Sequence, residues 1–232
     1  MKTYNYVNGS SIKVSDTSSL INKYTWYEDR IFELEEIQTF SDLIKDENGF
    51  TVLDIGAQSG AFCLMANLYK KTKWIAYEPD LDNYNCLLEN LEINEVTNVK
   101  TENIAVGNRT GKIILNVCTN HKGLNTIGEN LIRFGKDNTE EREVNITTLD
   151  EYVKDDKVDL IKIDTEGAEY DIIIGAKKVI QKWKPMIFME YCDENLRQFG
   201  RTIEDLNRLI EEIGYKINKE YSSRGNVLIQ SK

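Results

Sequence analysis

The sequence predicts an α/β fold built on a mostly parallel sheet with helices on both faces. Three observations carry that expectation. Short apolar runs alternate with segments of helical spacing over most of the chain. Val158-Asp-Leu-Ile-Lys-Ile163 is nearly continuous in apolar character, as a strand covered on both faces requires. Acids, an asparagine and glycines fall at or just after the ends of the runs, where such sheets present their ligand-binding edge.

Residues 1 to about 30 mix polar and aromatic side chains without a period and read as a small N-terminal addition. Residues 31–44 place their apolar members at helical spacing, and Asp46-Glu-Asn-Gly49 stops that helix. Thr51–Ile55 reads as the first strand, with a helix expected over about 60–70. Residues 74–77 read as the second strand, and residues 80–91 as a helix with an acid-rich first turn. Residues 99–106 supply a third strand. Gly107-Asn-Arg-Thr-Gly111 then turns the chain into an added strand over 112–117.

A polar stretch follows over 118–142, of a length that in compact domains is usually functional or mobile. Residues 144–149 read as extended and lead into Asp150-Glu-Tyr-Val. After the strand ending at Ile163, Asp164-Thr-Glu-Gly-Ala-Glu169 opens a helix expected to run through Ile180. Residues 186–189 form another buried strand and 202–213 another helix. Residues 215–219 and 226–230 make a terminal hairpin. The chain has no repeats, no low-complexity tract and only two prolines. The expectation is an extension over 1–45 packed on the core, followed by a single domain over 46–232.

Bulk properties narrow the function classes. With 232 residues, 41% of them hydrophobic, the chain can bury one α/β core with modest additions. No apolar run reaches bilayer length and the N-terminus lacks the apolar centre of a signal peptide, so a soluble, cytoplasmic protein with no membrane partner is expected. Cys63, Cys86, Cys118 and Cys192 are scattered without a C-x-x-C pair, which argues against a zinc site or a disulfide framework. A net charge of −10 argues against a large polyanionic partner, so nucleic acid is not expected.

Two clusters carry the chemistry. Val52-Leu-Asp-Ile-Gly-Ala-Gln-Ser-Gly60 is a strand running into a glycine turn, and Trp74-Ile-Ala-Tyr-Glu-Pro-Asp80 is a second strand ending in an acid. That spacing suits a βαβ unit holding a nucleoside, with Glu78 accepting from the ribose hydroxyls. A dinucleotide fingerprint needs Gly-x-Gly-x-x-Gly to seat a pyrophosphate on a helix N-terminus. Here Gln58 and Ala61 occupy the second and third glycine positions. Asp54-x-Gly56-x-x-x-Gly60 suits a cofactor without phosphate, S-adenosyl-L-methionine.

Taken with Thr148-Leu-Asp150 and Lys162-Ile-Asp-Thr-Glu-Gly-Ala-Glu169…Gly175-Ala176, these segments resemble the FkbM-type S-adenosylmethionine-dependent methyltransferases over about residues 50–192. The resemblance implies a Rossmann-like class I methyltransferase fold: a seven-stranded sheet, mostly parallel, with an antiparallel last strand. It also implies methyl transfer, usually to a hydroxyl of a sugar, a glycan or a small secondary metabolite. Residues 1–45 and 118–142 fall outside its motifs.

On that reading Asp54 is placed for the methionine amino group. The backbone of Gly56, Ala57, Gln58, Ser59 and Gly60 passes the amino-acid and ribose part of the cofactor. Glu78, followed by Pro79, takes the ribose diol, and Asn103 with Ile104 meets the adenine. Asp164 lies beside the cofactor near the methyl group, with Glu166 and Glu190 as further carboxylates of the cleft. Three carboxylates in a desolvated cleft push at least one pKa toward the range of a general base. His121, the lone histidine, is the rival base if its loop closes over the cleft. The ligand spacing of a divalent-cation site is incomplete, so no metal is expected. The competing readings are an RNA or other nucleic-acid methyltransferase and a nucleoside-binding module without catalysis.

Overall fold

The computed structural model describes residues 1–14, 31, 33–119, 121–128, 138–223 and 225–232. Strands β1 (Lys2–Asn5) and β2 (Ser11–Val14) pair as an antiparallel hairpin. Helix α1 (Leu34–Ile44) leads to β3 (Thr51–Ile55), a 3-10 turn at Cys63–Asn67, β4 (Lys73–Tyr77) and α2 (Leu81–Ile93). Then come β5 (Val99–Glu102), β6 (Ala105–Val106), β7 (Gly111–Cys118) and β8 (Thr139–Thr147). The second half runs α3 (Leu149–Tyr152), β9 (Leu160–Ile163), α4 (Glu169–Ile174), α5 (Lys177–Trp183) and β10 (Met186–Glu190). Helices α6 (Asp193–Arg197) and α7 (Ile203–Glu212) and strands β11 (Tyr215–Ser223) and β12 (Asn226–Ser231) complete the described chain.

Seven strands form the main sheet in the order β11-β12-β10-β9-β3-β4-β5. The sheet is parallel except for β12, which runs antiparallel to both β10 and β11. This is the Rossmann-like arrangement expected, with the last strand reversed. Side-chain alternation along the strands splits the interior in two. Val52, Trp74, Leu160 and Phe188 face a core shared with α1, α2 and the N-terminal hairpin. Leu53, Tyr77, Ile161 and Ile187 face a second core shared with α3, α4, α5 and α7.

The described part of the N-terminal addition packs against the first of these cores. Tyr6 Oη donates to the Ala61 carbonyl, and Lys13 and Asn94 exchange two hydrogen bonds at 2.7 and 2.8 Å. Residues 15–30 and 32 lie outside the described residues.

Four expectations need correction. The helix over 60–70 is instead a set of turns around the 3-10 segment Cys63–Asn67. Phe62 to Ala66 are all buried in the core shared with the N-terminal hairpin, so the segment lacks the solvent face of an amphipathic helix. The expected strand 99–106 is two strands, because Asn103 Nδ2 donates to the carbonyls of Glu78 and Pro79 and turns the chain out of the main sheet. β6 pairs with β8 in a separate sheet of order β6-β8-β7.

Leu149 begins α3 rather than ending a strand, because the Thr148 hydroxyl caps the Glu151 N–H at 3.1 Å. The helix expected through Ile180 breaks at Gly175-Ala176. A Cβ on Gly175 would meet the Gly107 carbonyl oxygen at 2.0 Å, and the Gly175 carbonyl accepts from Asp150 N–H. The Asp150 carboxylate then caps the N–H groups of Lys178 and Val179, which restarts the chain as α5. The short helix α6 had no counterpart in the sequence reading.

Candidate functional site

β3 and β9 are neighbours in the sheet, but the chain leaves β3 toward β4 and β9 toward β10 in opposite directions. That reversal opens a crevice beyond their carboxyl ends, the place where doubly wound sheets bind ligands. Gly56 stands at its floor with φ +79°, and a Cβ there would strike the Asp164 carbonyl oxygen at 1.9 Å. The residue must therefore be glycine for two reasons: its left-handed backbone and the close approach of the next strand's end. Gly56 and Ala57 N–H groups both donate to the Tyr77 carbonyl at 3.0 Å, which fastens the turn to β4.

Glu78 closes the far side of the turn. It is 4% exposed, and its carboxylate accepts from the N–H groups of Gln58 and Asp80 at 2.9 and 3.0 Å. Burial pushes its carboxyl up to about 7 against the pull of those two donors. The glycine turn and the ribose-position acid predicted from spacing are thus directly bonded to each other.

The turn after β9 gathers the second group. Glu169 is buried, and its Oε1 accepts from the N–H and hydroxyl of Thr165 and the N–H of Gly167. It braces the turn from inside rather than acting in the cleft. Glu166 adopts φ +57°, and buried Asn195 donates to Glu166 Oε2 and to both oxygens of Glu190 at 2.9–3.0 Å. The carboxylates of Asp164, Glu166 and Glu190 have ligand oxygens within 4.8 Å of one another. Burial, then the charges of Asp164, Glu169 and Glu166, push the Glu190 carboxyl up to about 10. Glu33, at the foot of α1, is raised to about 7 by burial and by facing Asp164. Three carboxylates packed this closely could hold a divalent cation; raising Glu190 is another way of lowering their mutual repulsion.

Lys162, which the sequence reading quoted within a motif but gave no role in the site, is the residue it missed. It is 5% exposed in the middle of the sheet, with its ammonium 3.3 Å from Asp54 and 3.6 Å from Asp164. It also donates to the Gly56 carbonyl and lies over the Phe62 ring. Burial pulls its pKa down, but Asp54, Asp164 and Glu33 outweigh that and hold it above the ordinary lysine value. The available signal was the lone charge inside an otherwise apolar strand, since buried lysines persist only when paired.

Two cavities meet at these groups. The first lies against the glycine turn and the end of β4. Its walls include Gly56, Gln58, Glu78, Pro79, Ile104 and Asp164. The second is wider and is lined by His121, Glu190, Glu33 and Tyr6, among others. Asp164 and Glu166 line both. Asp164, Glu166, Glu190 and His121, predicted from distant parts of the sequence, thus share one space.

Some expected contacts lie elsewhere. Asp54 is 1% exposed, tied to Lys162 and to the Cys63 thiol, and is not part of either cavity wall. Ala57 and Ser59 are buried behind the turn, where the Ser59 carbonyl accepts from Asn90, and the Gly60 N–H is bonded to the Ala57 carbonyl. Asn103 serves as the turn former described above. Part of the polar stretch 118–142 covers the first cavity: Gly123, Asn125 and Ile127 line it, and a Cβ on Gly123 would lie 2.9 Å from Gln58 Nε2. Residues 120 and 129–137 of that stretch lie outside the described residues.

No described helix is long and apolar enough to cross a membrane. The chain is 25% identical over 172 residues to Methyltransferase sdnD of Sordaria araneosa, covering 58% of this chain and 66% of that protein. It is 23% identical over 160 residues to Methyltransferase 1 of Beauveria bassiana, covering 61% and 64%. It thus spans just under two thirds of these curated relatives. Among solved structures, an FkbM methyltransferase from Methylobacillus flagellatus superposes with a TM-score of 0.56 at 20% identity, over 82% of this chain and 45% of that one. A precorrin-6y C5,15-methyltransferase from Geobacter metallireducens gives 0.51 at 16% identity, over 94% and 92%. These two likenesses establish the fold. The family model of the methyltransferase FkbM domain matches residues 54–217, which takes in the glycine turn, Glu78, the Asp164 turn and β10, and the chain belongs to the FkbM methyltransferase family.

Proposed function

We propose that this protein transfers the methyl group of S-adenosylmethionine to a hydroxyl of a sugar, a glycan or a small secondary metabolite. One observation carries the reading: Asp164 and Glu166 line both the cavity at the glycine turn and a wider one beside it. A donor and an acceptor placed in the two cavities would meet beside these carboxylates.

The first cavity fits a cofactor without phosphate. Its described lining holds no lysine or arginine. The glycine turn leads into a five-residue 3-10 segment, not a long α-helix whose N-terminus could seat a pyrophosphate. Glu78 would take the ribose diol, Gly56 and Gln58 the chain beside it, and Pro79 and Ile104 the base. When bound, the cofactor supplies a sulfonium methyl as the electrophile.

The rest falls to the chain's own side chains. Asp164 accepts the proton of the acceptor hydroxyl and holds its oxygen in line. Glu190, protonated at neutral pH by its burial, donates toward the acceptor rather than acting as a base. Glu166, oriented by Asn195, completes that wall. His121 lines the same space and is the second candidate base.

The test is a methyl-transfer screen with labelled S-adenosylmethionine against hydroxylated acceptors, run beside calorimetry. Micromolar binding of the cofactor, about −8 kcal/mol, is expected with transfer to one acceptor class. Binding of a nicotinamide dinucleotide without binding of the sulfonium cofactor would overturn the reading. Tight cofactor binding with no transfer to any acceptor would favour a non-catalytic binding module.

A further inference from the structure

Two residues that line the first cavity each carry a buried polar atom with no hydrogen-bond partner among the described residues: Tyr77 Oη and Asn125 Nδ2. Leaving one such group unpaired costs about 1–3 kcal/mol, so two beside the same cavity call for an explanation. Around them the wall is apolar, with Ala105 and Val106 from β6, Leu115 from β7, and Ile104 and Ile127.

Both atoms are held in place. Tyr77 is 0% exposed at the end of β4, and its ring packs edge-on against Tyr152 with centroids 5.1 Å apart. Burial, reinforced by Tyr152 and Glu102, pushes its phenol far above the usual range, so the hydroxyl keeps its proton and can donate. Asn125 lies in the segment covering the cavity. Its Oδ1 accepts from the Cys118 N–H at 2.9 Å, which settles the amide orientation and leaves Nδ2 as the outstanding donor. Thr126, the next residue, bridges back to Asn116 on β7 and to the Glu166 carbonyl, so the segment is anchored on both sides.

We propose that Tyr77 and Asn125 form a base-reading pair, whose two donors meet ring nitrogens of the adenine of a nucleoside cofactor. The proposal rests on the cofactor reading above and extends it to residues that no motif marks. A flat heteroaromatic ring with acceptor nitrogens on its edge is the ligand an apolar slot with two donors suits. Asn125 thereby assigns this part of the polar stretch to holding the cofactor.

Calorimetry with S-adenosylhomocysteine, paired with thermal melts of the ligand-free chain, tests the idea. Tyr77→Phe keeps the ring packing and deletes the hydroxyl. Asn125→Asp keeps the oxygen that accepts from Cys118 and removes the donor. Each variant should bind about tenfold more weakly, the worth of one buried hydrogen bond. Ligand-free Tyr77→Phe should melt at the wild-type temperature or above, because an unsatisfied hydroxyl has been removed.

Wild-type affinity in either variant overturns the pair. A lower melting temperature for ligand-free Tyr77→Phe also overturns it, since the hydroxyl would then have a structural partner. Failure of the wild-type chain to bind S-adenosylhomocysteine overturns the cofactor reading and the pair with it, an outcome distinct from unchanged variants.

Discussion

Asp54 and Lys162 sit opposite each other in the register of β3 and β9, and their charged atoms are 3.3 Å apart in the centre of the sheet. The pair joins the two strands whose ends form the crevice. Through the bond from Lys162 to the Gly56 carbonyl, it also sets the height of the glycine turn.

Lys162→Met should destabilise the chain by about 3–5 kcal/mol, because a buried carboxylate loses its counter-charge. Urea unfolding measures this. Adding Asp54→Asn to Lys162→Met should restore part of the loss, as a double-mutant cycle requires for coupled groups. Strictly additive losses would mean that the two charges do not depend on each other.

Glu78→Ala should weaken cofactor binding by about 2–3 kcal/mol through loss of charge-assisted bonds to the ribose. Read from the sequence, the change leaves the fold untouched. The structure predicts a further cost of about 1–3 kcal/mol, because the N–H groups of Gln58 and Asp80 lose their acceptor. Glu78→Gln should recover most of the stability and little of the affinity. Calorimetry and denaturation on both variants separate the two effects, and unchanged affinity in both would remove Glu78 from the site.

The ligand-free chain should lose stability as pH rises from 5 to 8. Glu33, Glu78 and Glu169 are raised to about 7 and Glu190 to about 10, so the folded state holds protons that the unfolded state releases near 4.5. Stability from a raised carboxyl is complete below the unfolded value and is lost toward the folded one, which gives the negative slope. Glu190→Gln should flatten that slope, most visibly above pH 7. Melting temperatures that rise between pH 5 and 8 would contradict the assignment.

Asp164→Asn should reduce turnover about a hundredfold or more while changing cofactor affinity little, the usual yield of a general base. His121→Ala is the paired control, since His121 lines the same cavity. Single-turnover rates decide. Loss of turnover in His121→Ala beside near-normal rates in Asp164→Asn would place the base on the loop.

Much of this was legible in local pattern. Thr51–Ile55 reads as a strand from its apolar run and is one residue for residue, and Glu78 lies against the glycine turn as its spacing implied. Other features were beyond local reading because distant segments impose them. Residues 60–70 have helical composition, yet Ala61 to Ala66 are all buried and fold as turns around a 3-10 segment. Asp54 carries the fingerprint position, but its partner lies 108 residues later, on another strand. Asn125 is invisible as a ligand-facing residue until the Cys118 N–H turns its amide.

The contact between Gly107 and Gly175, with no room for a methyl group, joins the small sheet to the break between α4 and α5. Asp150 bonds to both sides of that break, so the small sheet is riveted to the main body at its base. The cavity wall supplied by Ala105, Val106 and Leu115 is therefore a fixed jamb, not a door. The cover over 121–128, by contrast, is held to β7 and Glu166 by a handful of hydrogen bonds. Substituting Asn116, which holds the Gly128 carbonyl, should therefore loosen the cover while the jamb stays in place.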